Sequence, residues 1–253
     1  MALTLSPSQH IRRLPLIELL SPRRYSRFYL VTFATALLVG TLAVWLGAVP
    51  LWGATAGVLL ALLIPSIPKW RQDQRLFGTE AMVLCILVMA QGFHWFEHIA
   101  QWVQYHILRW PFFQASGLLS PANAEWVHFV WNWAVLLAVI YLLRSGMRNI
   151  WMWLLLAWAG AHTAEHSYMM IRYLQALSDL RALGVDNVAA QGLPGFLGRD
   201  GWLASAEITQ NTFLCRLPGL ATAQRLDVHF WWNAGETALL LPAANAAMAK
   251  IAR

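Results

Sequence analysis

Apolar residues fall in blocks at 28–47, 50–67, 78–106, 124–143, 149–173 and 226–247. Each block is close to the roughly 20 residues that an α-helix needs to cross the hydrocarbon core of a bilayer. The pattern predicts an all-α, polytopic membrane helix bundle of six transmembrane helices. Val49-Pro50 marks a tight hairpin between the first two, and Pro65 and Pro68 are expected to close the second before the polar stretch Lys69 to Arg75. The third block is longer than a bilayer requires, so its end should project beyond the headgroups. The chain then divides into a lead-in at 1–27, a hairpin at 28–75, a helix pair at 76–148 and a second pair at 149–253 that carries a long loop, 174–225.

Composition supports the membrane class: 58% of residues are hydrophobic and only 12% charged, a combination foreign to soluble domains of this length. The 15 tryptophans exceed what a core needs and suit bilayer interfaces, where amphipathic rings sit at headgroup depth. The net charge of +6 is scattered in short clusters between apolar blocks, as topology signals are, which argues against nucleic acid as a partner. With Cys85 inside an apolar block and Cys215 in a loop there is no thiolate metal box, so any metal must be held by nitrogen and oxygen.

The basic residues also orient the chain. Arg12, Arg13, Arg23, Arg24, Arg27, Lys69, Arg71, Arg75, Arg144, Arg148, Lys250 and Arg253 fall on one side of the predicted topology, against Arg109, Arg172, Arg181, Arg199, Arg216 and Arg225 on the other. The positive-inside rule places both termini in the cytoplasm and the loops 107–123 and 174–225 outside, in a multi-pass protein expected in a prokaryotic inner membrane. The lead-in reads as a cytoplasmic amphipathic segment retained on the protein. The second outer loop is too long for a bare connector and is expected to fold over the surface as short capping helices.

Polar residues inside the blocks repeat. The third block carries His94-Trp95-Phe96-Glu97-His98 and the fifth His162-Thr163-Ala164-Glu165-His166, both HxxEH. The fourth opens with Val127-His128-Phe129-Val130-Trp131-Asn132 and the sixth with Val228-His229-Phe230-Trp231-Trp232-Asn233, both VHFxWN. Two different motifs in the same alternating order point to duplication of a helix pair, related by a pseudo-twofold axis along the membrane normal. At 100° per residue, His94, Glu97 and His98 share a face, as do His162, Glu165 and His166, His128 and Asn132, and His229, Asn233 and Glu236. Six histidines are thereby expected at one level in the outer leaflet.

Ionisable groups in a membrane helix cost on the order of 2–3 kcal/mol each, so this set requires mutual compensation. Metal binding accounts for the residue types: neutral imidazole is a common ligand, and a carboxylate one turn away completes or orients the sphere. The expected ligands are His94, Glu97, His98, His128, His162, Glu165, His166 and His229, with Glu97 and Glu165 as bridging ligands or catalytic proton acceptors. Asn132, Asn233, Gln101 and Glu236 are expected to contact the cofactor or its ligands. His106 and His10 stand outside the motifs and read as ordinary hydrogen-bonded contacts, and Trp95, Trp131, Trp231 and Trp232 as packing and belt residues.

The layout is similar to that of di-metal carboxylate bundles, with HxxE in place of ExxH and histidine where those bundles place additional glutamates. The HxxxH spacings also resemble one box of membrane desaturases and alkane hydroxylases, over four residues and without their adjacent-histidine boxes. The leading expectation is a redox metalloenzyme, of oxidase or monooxygenase type, with a dinuclear iron or copper centre acting on a small or lipophilic substrate from the outer leaflet. Zinc or haem b are the alternative cofactors, the latter in an electron-transfer subunit. An accessory, assembly or transport subunit is the third class; the chain is expected to lie among membrane lipids, as part of a larger membrane complex or a homo-oligomer. No nucleotide loop and no serine or cysteine triad occurs.

Overall fold

The computed structural model describes residues 15–185 and 193–251, all helix, turn or irregular chain with no strand among them. His10, Arg12, Arg13 and Gly192 lie outside this set. The elements are α1 (Pro15–Leu20), α2 (Ser26–Trp45), α3 (Leu51–Phe77), α4 (Thr79–Trp102), α5 (Glu125–Arg144), α6 (Ile150–Ala182), α7 (Trp202–Ser205) and α8 (Arg225–Ile251). Helices therefore occupy all six predicted blocks. Four are long and apolar enough to cross a membrane: α2 with its preceding turn, α3, α5, and α4 continued through a π-helical turn to Ile107. The motif polar residues lower the apolar character of α6 and α8, which match the others in length.

α4, α5, α6 and α8 form a four-helix bundle in which α4 packs on α8, α8 on α6, α6 on α5 and α5 on α4, leaving α4 opposite α6. The half of the bundle remote from the motifs is an apolar core that includes Leu84, Val88, Val139, Leu142, Leu155 and Leu240. Lys250 Nζ donates to the Arg148 carbonyl and Asn149 Nδ2 to the Ala243 carbonyl at that end. The polar half holds the motifs, roughly 24 Å away along α5 by helix rise between His128 and Arg144. The α2–α3 hairpin stands outside the bundle: α2 buries no residue, and α3 leans on α4.

Three boundaries differ from the sequence expectation. Pro65 and Pro68 do not end the second helix, which continues to Phe77. A proline fixes a φ compatible with helix and forfeits one backbone bond, and here the following turns are held from outside. Tyr29 donates to Ser66 Oγ (2.9 Å), and the buried Lys69 donates to the Leu19 carbonyl (2.5 Å), to Asp73 Oδ2 (2.5 Å) and to Cys85 Sγ (3.0 Å). Lys69 is thus a buried staple and not a surface topology charge. The same contacts draw α1 inward: Leu19 is fully buried and α1 packs on α8 and α4, so the described part of the lead-in belongs to the bundle. The fifth helix also outruns its apolar block, reaching Ala182. Beyond α6, short helical turns at Trp202–Ser205 and Phe213–Arg216 are the helical pieces in the described part of the predicted loop 174–225.

Candidate metal centre

The motif histidines meet. Ring centroids link His94 to His98 (4.7 Å), both to His128 (5.3 and 5.6 Å), His128 to His166 (5.2 Å) and His229 (5.3 Å), and His166 to His162 (5.0 Å). All four bundle helices contribute. Trp131 lies 5.0 Å from the His94 ring and Trp232 stacks on His162 at 5.2 Å, so these two indoles line the cluster, whereas Trp231 is exposed as a belt residue would be.

Within the cluster His94, His98 and His128 place one donor atom each within 4.8 Å of one another. His94 Nε2 and His98 Nε2 stand 3.3 Å apart. Two imidazoles on a tetrahedral ion at 2.0–2.1 Å would have their nitrogens about 3.3–3.4 Å apart, so this pair already has ligand spacing.

The surrounding hydrogen bonds fix which nitrogen faces inward. Asn123 Nδ2 donates to the Ser116 carbonyl, an acceptor only, which turns Asn123 Oδ1 toward Gln101 Nε2 (2.5 Å). Gln101 Oε1 then faces His98 Nδ1 (2.9 Å), so Nδ1 carries the proton and Nε2 presents a lone pair to the cluster. His162 is set by the same logic: its Nδ1 meets Glu236 Oε2 (3.1 Å), leaving Nε2 without a partner among the described residues. Gln91 supports it from α4, donating to Glu236 Oε2 and Asn233 Oδ1 and accepting from Trp131 Nε1, all at 3.1 Å. One polar network therefore spans α4, α5, α6 and α8. Its partners orient the imidazoles, an arrangement typical of the groups behind metal ligands.

Of the residues expected at the cofactor, Gln101 and Glu236 touch histidine rings. Asn132 and Asn233 bond the carbonyls of His128 and His229 in their own helices. His106 pairs with Asp227 at 2.7 Å, away from the cluster.

Glu97 and Glu165 are engaged by loops. Glu97 accepts from the amides of Leu118 (2.9 Å) and Leu119 (2.7 Å), and Glu165 from those of Phe196 (3.0 Å) and Leu197 (3.4 Å). Both loops carry a glycine immediately before this amide pair, Gly117 or Gly195, and a Cβ at either would collide with the carboxylate. Gly117 also has φ +76°, where only glycine is at ease. Gly117→Ala and Gly195→Ala should each break a buried charge-assisted pair and lower stability by about 1–3 kcal/mol, measured as a fall in the thermal midpoint of detergent-purified protein.

Three further residues join the site. Gln91 is one turn before His94 on the same face, Glu125 three residues before His128, and Arg225 four before His229. The i, i+3 and i, i+4 spacings extend three of the four motifs by one turn and are the signal that marks them. His166 Nδ1 lies 3.4 Å from Glu125 Oε1, and Arg225 Nη2 lies 2.6 Å from His229 Nε2. The sequence matches no protein-family model, no curated protein and no solved structure.

Proposed function

We propose that this chain is an integral-membrane metalloprotein whose primary centre is a single ion held by the Nε2 atoms of His94 and His98 together with a ring nitrogen of His128. The observation that carries the reading is the 3.3 Å separation of the His94 and His98 nitrogens, with the second held in the ligating tautomer by Gln101. Three imidazoles leave a fourth position open, as catalytic sites do and structural sites do not. All-nitrogen ligation suits copper, zinc or iron. Such an ion supplies Lewis acidity or, for copper and iron, one-electron chemistry to a small molecule at the open position. The redox reading, an oxidase or monooxygenase type of activity, belongs to the copper and iron branch. Rings in direct contact favour a bare ion over haem, which would need a macrocycle between its two histidines.

The remaining residues prepare that position. Gln101 orients His98, Glu236 orients His162, and Trp131 packs on His94. Glu97 and Glu165 fasten the outer loops over the cluster and keep water from it. The matching of the two halves supports a duplicated helix pair about a pseudo-twofold axis: His94–His98 and Trp131–His94 have counterparts in His162–His166 and Trp232–His162 at closely similar separations. Six membrane crossings, with the centre in the outer half, complete the reading.

Cobalt(II) substitution tests the open position. A three-nitrogen site should give an intense tetrahedral visible spectrum that shifts on adding azide; a spectrum indifferent to azide would mean a closed, structural site. The glutamates admit a second check. In Glu97→Gln the amide presents one acceptor and one donor to two N–H groups, so one loop bond is lost while no metal ligand is touched. Metal content should stay at the wild-type level, with faster hydrogen exchange at Leu118 and Leu119; loss of metal with the loop still protected would make Glu97 a ligand.

A further inference from the structure

The two halves of the cluster differ at several positions, and one of these differences places a cation among the motif residues. Four residues before His128 stands Ala124, whereas four before His229 stands Arg225. The Arg225 guanidinium enters the second half, with Nη2 on His229 Nε2 (2.6 Å) and 3.8 Å from Glu125 Oε1, and Nη1 3.6 Å from Glu165 Oε1. Two carboxylates and an imidazole around one guanidinium are a cation's ligand types, here facing an internal cation.

That cation is held loosely for a buried group. Its separations from both carboxylates exceed hydrogen-bond length, and Nη1 has no hydrogen-bond partner among the described residues, although a guanidinium offers five donors. The facing groups are equally short of hydrogen bonds: Glu125 Oε1, in a side chain only 7% exposed, and Nδ1 of the fully buried His166 stand 3.4 Å apart without hydrogen-bond geometry, and His166 Nε2 has no partner among the described residues. Glu165 Oε1 keeps only a long bond of 3.4 Å to Leu197, while its counterpart Glu97 is firmly bonded through both oxygens. Native interiors rarely leave so many polar atoms unsatisfied, and where they do an unfilled ligand role is one explanation.

Arg225 also has somewhere to go. It lines a cavity of about 430 Å³ under the outer loops, together with Tyr105, Leu197, Arg199, Asp200 and Gln224. The exposed Asp200 carboxylate on that wall, 3.7 Å from Arg199, is an acidic group facing the same cavity.

We propose that Glu125, Glu165, His166 and His229 form a second, latent site for a divalent transition-metal ion, plugged by Arg225 and opened when that side chain swings into the outer cavity. Its mixed oxygen and nitrogen donors suit zinc, iron(II) or manganese(II).

Zinc, redox-inert and quantifiable, is the probe. Full-length protein in detergent, equilibrated at buffered free zinc, is expected to hold one equivalent as wild type and as Arg225→Lys, and two as Arg225→Met. Arg225→Met with only one equivalent overturns the proposal. If Arg225→Met does not yield folded protein, wild-type titration decides. A second equivalent should then bind on the order of 100-fold more weakly, because the ion must displace a buried charge-assisted contact. That phase should vanish in Glu125→Gln; saturation at one equivalent, or a second phase unchanged by Glu125→Gln, overturns it. Repeating the measurement in His98→Ala separates this inference from the primary centre. There Arg225→Met should raise zinc from none to one, whereas no gain with the wild type still at one would sink the latent site alone.

Discussion

His98→Ala is expected to abolish binding at the primary centre, the largest functional effect of any single substitution. The side chain supplies the nitrogen at ligand distance from His94, and its tautomer is set by the relay from Ser116 through Asn123 and Gln101. Two histidines remain, one on each of two helices, and they cannot enclose an ion. Gln101→Leu leaves all three ligands but releases the His98 ring, so its cost should be smaller, roughly 10–100-fold in affinity. His106→Ala serves as the control, because His106 bonds Asp227 and touches no ligand. Competition against a chelator of known affinity gives all three values. The order His98→Ala, then Gln101→Leu, then His106→Ala at wild type is the expected result; equal loss in His106→Ala would mean general destabilisation.

The second large effect lies at the opposite end of the bundle and concerns stability. Lys69 and Asp73 are both buried and in contact, with Cys85 and the Leu19 carbonyl completing the ammonium's surroundings. Asp73→Ala leaves an uncompensated buried ammonium and should destabilise by about 3–5 kcal/mol. Replacing both, as Lys69→Met with Asp73→Leu, removes the stranded charge along with the pair and should recover most of that loss, since apolar substitutes for buried pairs are often neutral. Unfolding midpoints in mixed micelles report both. A double variant no better than Asp73→Ala would mean that the Lys69 bond to α1, and not charge balance, dominates.

The helices and the histidine faces are legible in the sequence because both depend on local periodicity: a 20-residue apolar block implies a helix, and HxxEH places three side chains on one face whatever surrounds them. Features decided by tertiary contact were not legible. Pro65 and Pro68 look like a terminus until Lys69 is seen bonded to α1. Glu97 and Glu165 look like ligands because of their place in the motif, yet they meet loop amides 21 to 32 residues downstream. The glycines that admit those amides, Gly117 and Gly195, lie outside the motifs, and unequal insertions after each hide their equivalence. Arg225 reads as an outer loop charge, and only the packing of α8 against α6, with Glu125 of α5 across the cluster, shows it inside. Trp131 and Trp232 turn inward for the same reason, each packing on a histidine of a neighbouring helix.

X-ray absorption at the metal edge of protein purified from metal-supplemented cells tests the central claim most directly. The predicted result is one ion per chain with three nitrogen scatterers at about 2.0–2.1 Å and the outer-shell pattern of imidazole, lost in His94→Ala and His98→Ala. A sphere containing sulfur, a porphyrin signature, or metal retained undiminished in the His94→Ala/His98→Ala double variant would contradict a centre built on these histidines.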